Sequence, residues 1–189
     1  MLKIAITGNI ACGKSEVEEF LGKQGFSVLD TDKAAHALSE SNIEIRKKIY
    51  EKFKTNDRTE IGKIVFSNPK LKQELEDILH PPIKKRIEDF FDSKKFEKAV
   101  FVSVPLLYEA GWESMFDKVI LVAASDDIRL SRLMKRNNFS RKHALKRISS
   151  QVPQSEKLAK ADFVINNEDN LEHLGAEVNK VIESLGLHE

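Results

Sequence analysis

A chain of 189 residues, 41% hydrophobic and 32% charged, is long enough to bury one core and too apolar to remain disordered. Its net charge of +1 excludes bulk attraction to polyanions, and no apolar run is long enough to span a bilayer, so neither a nucleic-acid nor a membrane partner is expected. The single cysteine, Cys12, excludes an internal disulfide and suits a reducing compartment. With no signal-like apolar stretch at its start, the chain is expected in the cytoplasm.

The first β-branched run, KIAIT at residues 3–7, predicts a strand, and SEVEEFLGKQ predicts a helix over 16–24 that ends near Gly25. Between them GNIACGKS places Gly8, Gly13, Lys14 and Ser15 in the pattern G-x-x-x-x-G-K-[ST]. Glycines there let the backbone approach phosphate oxygens. The N–H groups of Ala11, Cys12 and Gly13 and the helix N-terminus point at the anion, Lys14 reaches the β and γ phosphates, and the Ser15 hydroxyl ligates Mg²⁺. A glycine turn before an ordinary helix is the competing reading, and the strand–loop–helix context argues against it. Cys12 is read as a small side chain in a tight loop rather than as a redox-sensitive thiol. Glu16 adds a carboxylate near the phosphates, where it suits the helix N-terminus or turns away.

A second run, SVLD at 27–30, predicts a strand with Asp30 and Asp32 at its carboxyl end. An acid there is placed to act as general base on an acceptor hydroxyl; that Asp32 caps the helix that follows is the alternative, and the two roles are compatible. Residues 33–97 are charged and helical in spacing, too long for a structureless loop, and predict a small helical insertion. AVFVSV at 99–104 predicts the third strand, closed by Pro105, with Glu109 beyond it. Ser103 stands where an acid for Mg²⁺ is common, so an acidic contribution would come through water from Asp32 or Glu109.

KVILVAA at 118–124 and DFVIN at 162–166 predict the last two strands, with helices over 126–137 and 170–185, the latter stopped at Gly186. From Arg129 to Arg147 there are eight Lys/Arg and no acid. Arg132 and Arg136, four apart, fall on one helical face where they could clamp polyphosphate. A solvated basic face and a nucleic-acid stripe are the alternatives; no aromatic interleaving accompanies the latter. Residues 137–160, broken by Pro153, read as a mobile lid. Asn166 and Asn167 suit amide bonds to a base edge. Continuous apolar strands alternating with helices predict an α/β, doubly wound parallel sheet with ligands at the carboxyl ends of its strands.

The chain resembles the dephospho-CoA kinase family nearly end to end, through ITGNIACGKS, VLDTDKAAH, LEDILHPPI, VPLLYE, RLSRLMKR with ALKRISSQ, and ADFVINN. The resemblance implies a three-layer P-loop NTPase fold with a five-stranded parallel sheet. Its core would comprise residues 1–32, 98–128 and 161–189, with a helical acceptor domain at 33–97 and a lid at 129–160. It implies ATP-dependent phosphorylation of the ribose 3′-hydroxyl of dephospho-CoA using ATP and Mg²⁺. No exposed heptad seam forces an oligomer, so a monomer is expected. Asp32 would then be the base, Lys14 and Ser15 would hold ATP and Mg²⁺, and Arg132, Arg136 and Arg147 would belong to the lid. Asn167 would lie beside the adenine, while Glu109 and His80 would join the acceptor side, His80 being equally readable as a structural histidine. Glu16, Ser103 and Asn137 depart from residues common in the family. Another small nucleoside or nucleotide kinase is the nearest rival. A GTP switch lacks its N-K-x-D and D-x-x-G signatures here, and a nucleic-acid-binding ATPase would rest on the basic segment alone.

Overall fold

The computed structural model describes residues 1–187. In chain order the elements are β1 (Leu2–Thr7), α1 (Lys14–Lys23), β2 (Ser27–Asp30), α2 (Thr31–Ser41), α3 (Ile43–Phe53), α4 (Arg58–Ser67) and α5 (Pro69–Ser93). They continue with β3 (Ala99–Ser103), a 3₁₀ turn at Glu113–Met115, β4 (Lys118–Ala123), α6 (Asp126–Asn137), α7 (Arg141–Ser149), α8 (Gln154–Leu158), β5 (Phe163–Asn166) and α9 (Leu171–Ser184). Two compact units result: Met1–Leu29 with Lys94–Glu189, and Asp30–Ser93.

The first unit is built on a five-stranded parallel sheet in the order β2-β3-β1-β4-β5. Its three inner strands are covered on both faces, which is why Ile4–Ile6, Val100–Val102 and Ile120–Val122 are apolar or small without alternation. The five expected strands are present. β5 begins one residue later than its apolar run suggests because Asp162 pairs with β4 partly through its side chain: its N–H donates to Val119 O at 2.9 Å while its Oδ2 accepts the Val119 N–H at 2.8 Å.

α1 and α9 pack together, and Val17, Leu21, Leu174, Val178 and Ile182 join the core formed by the strands. Both helices end in the same way. Gly25 N–H reaches Gly22 O and Phe26 N–H reaches Leu21 O after α1; Gly186 N–H reaches Glu183 O and Leu187 N–H reaches Ile182 O after α9. The orphan carbonyls of each last turn are thereby satisfied, as the stop signals at Gly25 and Gly186 require.

In the second unit each helix start is capped by an Asp or Asn side chain. Asp30 accepts the N–H groups of Asp32 and Lys33, Asn42 that of Ile45, Asp57 that of Glu60, and Asn68 those of Lys70 and Leu71. The cap of α2 is therefore Asp30. Asp32, expected as a possible cap, lies instead in the first helical turn, where its carboxylate favours the positive end of the helix dipole. Ile45, Ile49, Phe53 and Ile61 form this unit's apolar centre, with Leu71, Leu75, Ile78 and Leu79 of α5 packed on it.

α5 runs for 25 residues through Pro81 and Pro82, which remove the N–H groups that would serve the carbonyls of residues 77 and 78. His80, immediately before them, is half-buried, and burial pushes its imidazole below the ordinary pKa against the opposing pull of Glu76. A base depressed in the folded state takes up its proton more readily once unfolded, so its contribution is fully present above about pH 6.5 and is lost as the pH falls. His80→Gln is expected to lose less stability than the wild type between about pH 8 and about pH 5, read by urea unfolding at both pH values. Equal losses would show that His80 titrates alike in both states.

Candidate active site

At the carboxyl end of β1 the chain turns through residues 8–13 and enters α1 at Lys14. Gly8 is required by close approach: a Cβ there would stand 2.5 Å from Val122 O and 2.6 Å from the Cys12 sulfur. Gly13, the residue before α1, has φ 96°, and a Cβ on it would overlap the Asn167 side-chain amide. Ala11 is left-handed as well, with φ 63°, although it carries a side chain. Lys14 Nζ donates to Gly8 O at 2.8 Å, closing the loop's mouth with its ammonium. Ser15 and Glu16 are exposed in the first turn of α1, while Cys12 is fully buried against the sheet as a small core residue.

The carbonyls of Ile10 and Cys12 accept from donors supplied by other elements. Arg129 on α6 is 2% exposed; its Nε donates to Ile10 O at 3.1 Å and its Nη1 to Asp126 Oδ1 at 2.6 Å. One turn on, Arg132 reaches Cys12 O at 3.5 Å and donates to Asn167 Oδ1 at 3.2 Å. Asn167, the residue after β5, is buried and donates from Nδ2 to Cys12 O at 2.9 Å. Both ends of that amide are therefore committed, and the guanidinium on one side and the carbonyl on the other fix which way it faces. Beyond α7, Gln151 Oε1 accepts the Ile10 N–H at 2.7 Å, and Asn9 Nδ2 donates to Val152 O at 2.9 Å.

Gly8, Ala11, Cys12, Gly13, Lys14, Ser15, Glu16, Arg132 and Asn167 thus share one neighbourhood. Arg136 is exposed and its Nε donates to Asn137 Oδ1 at 3.0 Å; Arg147 is half-buried on α7. Glu109 faces the fully buried Lys157 of α8 at 2.8 Å. Asp32 and His80 belong to the second unit, Asp32 exposed at the start of α2. Sequence reasoning passed over Arg129, Gln151, Asn9 and Lys157 as site residues. The final Gln of RISSQ was visible as a motif position, but no local signal ties it to the loop.

Among the described residues, no group of three or more His, Cys, Asp or Glu could cage a metal ion. One hydroxyl beside a phosphate loop nevertheless fits Mg²⁺, which keeps several waters and takes much of its coordination from substrate phosphates. Ser15 is the side chain present for it. Among the described residues, no helix is long and apolar enough to cross a membrane.

Comparison with known proteins places the chain among kinases. The dephospho-CoA kinase family model matches residues 2–173. A dephospho-CoA kinase of Listeria monocytogenes is 38% identical over 192 aligned residues, covering 95% of each chain. Among solved structures, a Thermus thermophilus protein superposes with a TM-score of 0.83 at 34% identity, covering 97% of each chain. The dephospho-CoA kinase of Campylobacter jejuni superposes with a TM-score of 0.70 at 36% identity, over 97% of this chain and 96% of its own.

The contact between Gly13 and Asn167 makes the loop sensitive to a single methyl group. Gly13→Ala is expected to cost about 1–3 kcal/mol, through a strained φ and displacement of Asn167 from Cys12 O, measured by urea unfolding. Unchanged stability would mean that the loop relaxes around the added carbon.

Proposed function

Since the chain belongs to the dephospho-CoA kinase family, matched by its model over residues 2–173, we propose how its own residues carry out ATP-dependent phosphorylation of dephospho-CoA. The reaction makes coenzyme A and ADP by transfer of the γ-phosphoryl group to the ribose 3′-hydroxyl. The observation that carries the reading of the site is the loop from Gly8 to Ser15, whose Ile10 and Cys12 carbonyls accept from Arg129, Arg132 and Asn167. Family membership supports the choice of acceptor.

Peptide N–H groups at Ala11 and Gly13, with the N-terminus of α1, receive the β-phosphate while Cys12 N–H stays with Asn9 O, and Lys14 exchanges its bond to Gly8 O for phosphate oxygens. Ser15, with Glu16 as the neighbouring carboxylate in the first turn of α1, would hold Mg²⁺, whose charge would offset that of the phosphates. Asp32 orients the 3′-hydroxyl and takes its proton as that oxygen attacks phosphorus in line; the bond from phosphorus to the bridging oxygen of ADP breaks in the same displacement. Arg132 acts on the nucleotide through Cys12 and Asn167. Arg136, exposed on the next turn, and Arg147 on α7 act as lid residues that stabilise charge on the transferred group when residues 129–160 close and exclude water.

The helical unit of residues 30–93 is the acceptor domain in this reading, with His80 among its dephospho-CoA contacts. Glu109 acts on the acceptor side through its pairing with Lys157 rather than as an isolated carboxylate. The enzyme is read as a cytoplasmic monomer with no nucleic-acid partner.

Two substitutions test the assignment, using Mg²⁺-dependent ADP release with dephospho-CoA and mass detection of the product. Asp32→Ala is expected to lower kcat by roughly 10²–10⁴ with nucleotide binding retained, as for a general base. Near-normal turnover would end that role. Lys14→Ala is expected to lower kcat and raise the KM for ATP together, and unchanged kinetics would remove the phosphate-loop reading.

A further inference from the structure

The two chain segments that flank α7 converge on one residue of the phosphate loop. Arg129, on the near side, donates to Ile10 O; Gln151, on the far side, accepts from Ile10 N–H at 2.7 Å. Both backbone polar groups of Ile10 are thus engaged by side chains from either end of this excursion. The Ile10 and Ala11 side chains also pack on the apolar cluster of Leu130, Leu133 and Ala144 that joins α6 to α7. Asn9 extends the attachment to Val152 O.

These contacts surround the loop's least comfortable residue. Ala11 holds φ 63°, a conformation that a residue with a Cβ keeps only where its surroundings over-determine it. Cys12 N–H closes back onto Asn9 O at 3.2 Å across it, so the peptides on both sides of Ala11 are pinned. A left-handed residue in such a turn helps to shape a concave anion-binding nest. Its shape depends on Ile10 staying in place.

We infer that Gln151 is a positioning residue for ATP binding, which holds Ile10 so that the nest beyond Ala11 is already formed when the polyphosphate arrives. It touches no phosphate itself; it acts through the Ile10 N–H, opposite Arg129. This rests on the phosphate-loop reading above. Because Gln151 follows α7 directly, lid position and loop shape are coupled through this bond, and loss of the acceptor weakens nucleotide binding more than it weakens the fold.

The test uses the intact enzyme with ADP as the calorimetric probe, alongside steady-state kinetics and thermal unfolding. Gln151→Met keeps side-chain length and removes the acceptor; Gln151→Glu keeps an acceptor for the Ile10 N–H. For Gln151→Met the ADP dissociation constant and the KM for ATP are expected to rise roughly two- to tenfold, the equivalent of one hydrogen bond. The KM for dephospho-CoA should remain close to wild type, the melting temperature should fall by no more than about 2–6 °C, and Gln151→Glu should lie nearer wild type than Gln151→Met. Unchanged ADP affinity in Gln151→Met, or equal losses in both variants, would overturn the inference. Lys14→Ala, measured in parallel, separates the two failures: if it weakens ADP while Gln151→Met does not, the loop reading stands and the role of Gln151 falls. If Lys14→Ala also leaves ADP binding unchanged, both fall.

Discussion

A peptide N–H can face an anion only when the carbonyls around it are turned elsewhere, and a carbonyl turned inward to protein needs a donor there. That constraint organises the first unit. Gly8 O receives Lys14, Ile10 O receives Arg129, and Cys12 O receives Asn167 with Arg132. A buried carbonyl without a partner would cost on the order of 1–3 kcal/mol, comparable to the strain of a left-handed residue, so a loop with its Ile10 and Cys12 carbonyls orphaned would relax out of its anion-binding shape. The donors come from α1, α6 and the end of β5, which only the parallel sheet brings to one edge.

The same requirement divides the basic segment into two parts. Arg129 and Arg132, three residues apart, face inward and serve the backbone of the loop. Arg136, Arg141, Lys142 and Lys146 are exposed. A buried guanidinium is tolerable because its fork is shared: Arg129 meets a carbonyl and the Asp126 carboxylate at once, so its charge is offset by a neighbour one turn away. Positive charge is consequently concentrated beside the phosphate loop although the chain as a whole is close to neutral.

Local patterns in the chain reached far into this arrangement. GNIACGKS was legible because its spacing is local and its flanks carry the strand and helix that give it meaning. The five strands were legible because a sheet covered on both faces leaves an uninterrupted apolar record. Arg129 was not, because an arginine in a basic run has the signature of a solvated face; its burial is decided by a carbonyl far away in sequence. The bonds of the Asn167 amide to Cys12 O and Arg132 were not legible either, because both partners lie far away in sequence. Asp32 was read as a possible cap of α2, whereas the cap is Asp30, because the first helical turn begins two residues earlier than that reading assumed, a difference that propensity does not resolve.

The segment that follows α7 shows why this attachment is polar. From Gln151 to Lys157 three side chains bind three different places: Gln151 the Ile10 N–H, Gln154 the Ala124 N–H at 3.2 Å, and Lys157 the Glu109 carboxylate. Apolar residues of equal volume would hold such a segment as tightly, since removing Lys157 from water costs much of what its pairing returns. They would not hold it in one register, because apolar contact is non-directional and a short segment can slide by a residue with little loss. A carboxamide facing a single N–H has no equivalent position one residue along. The polar fastening therefore ties the phosphate loop, the end of β4 and the turn after β3 to a single alignment of the chain that follows α7, and the loop's geometry follows from that alignment.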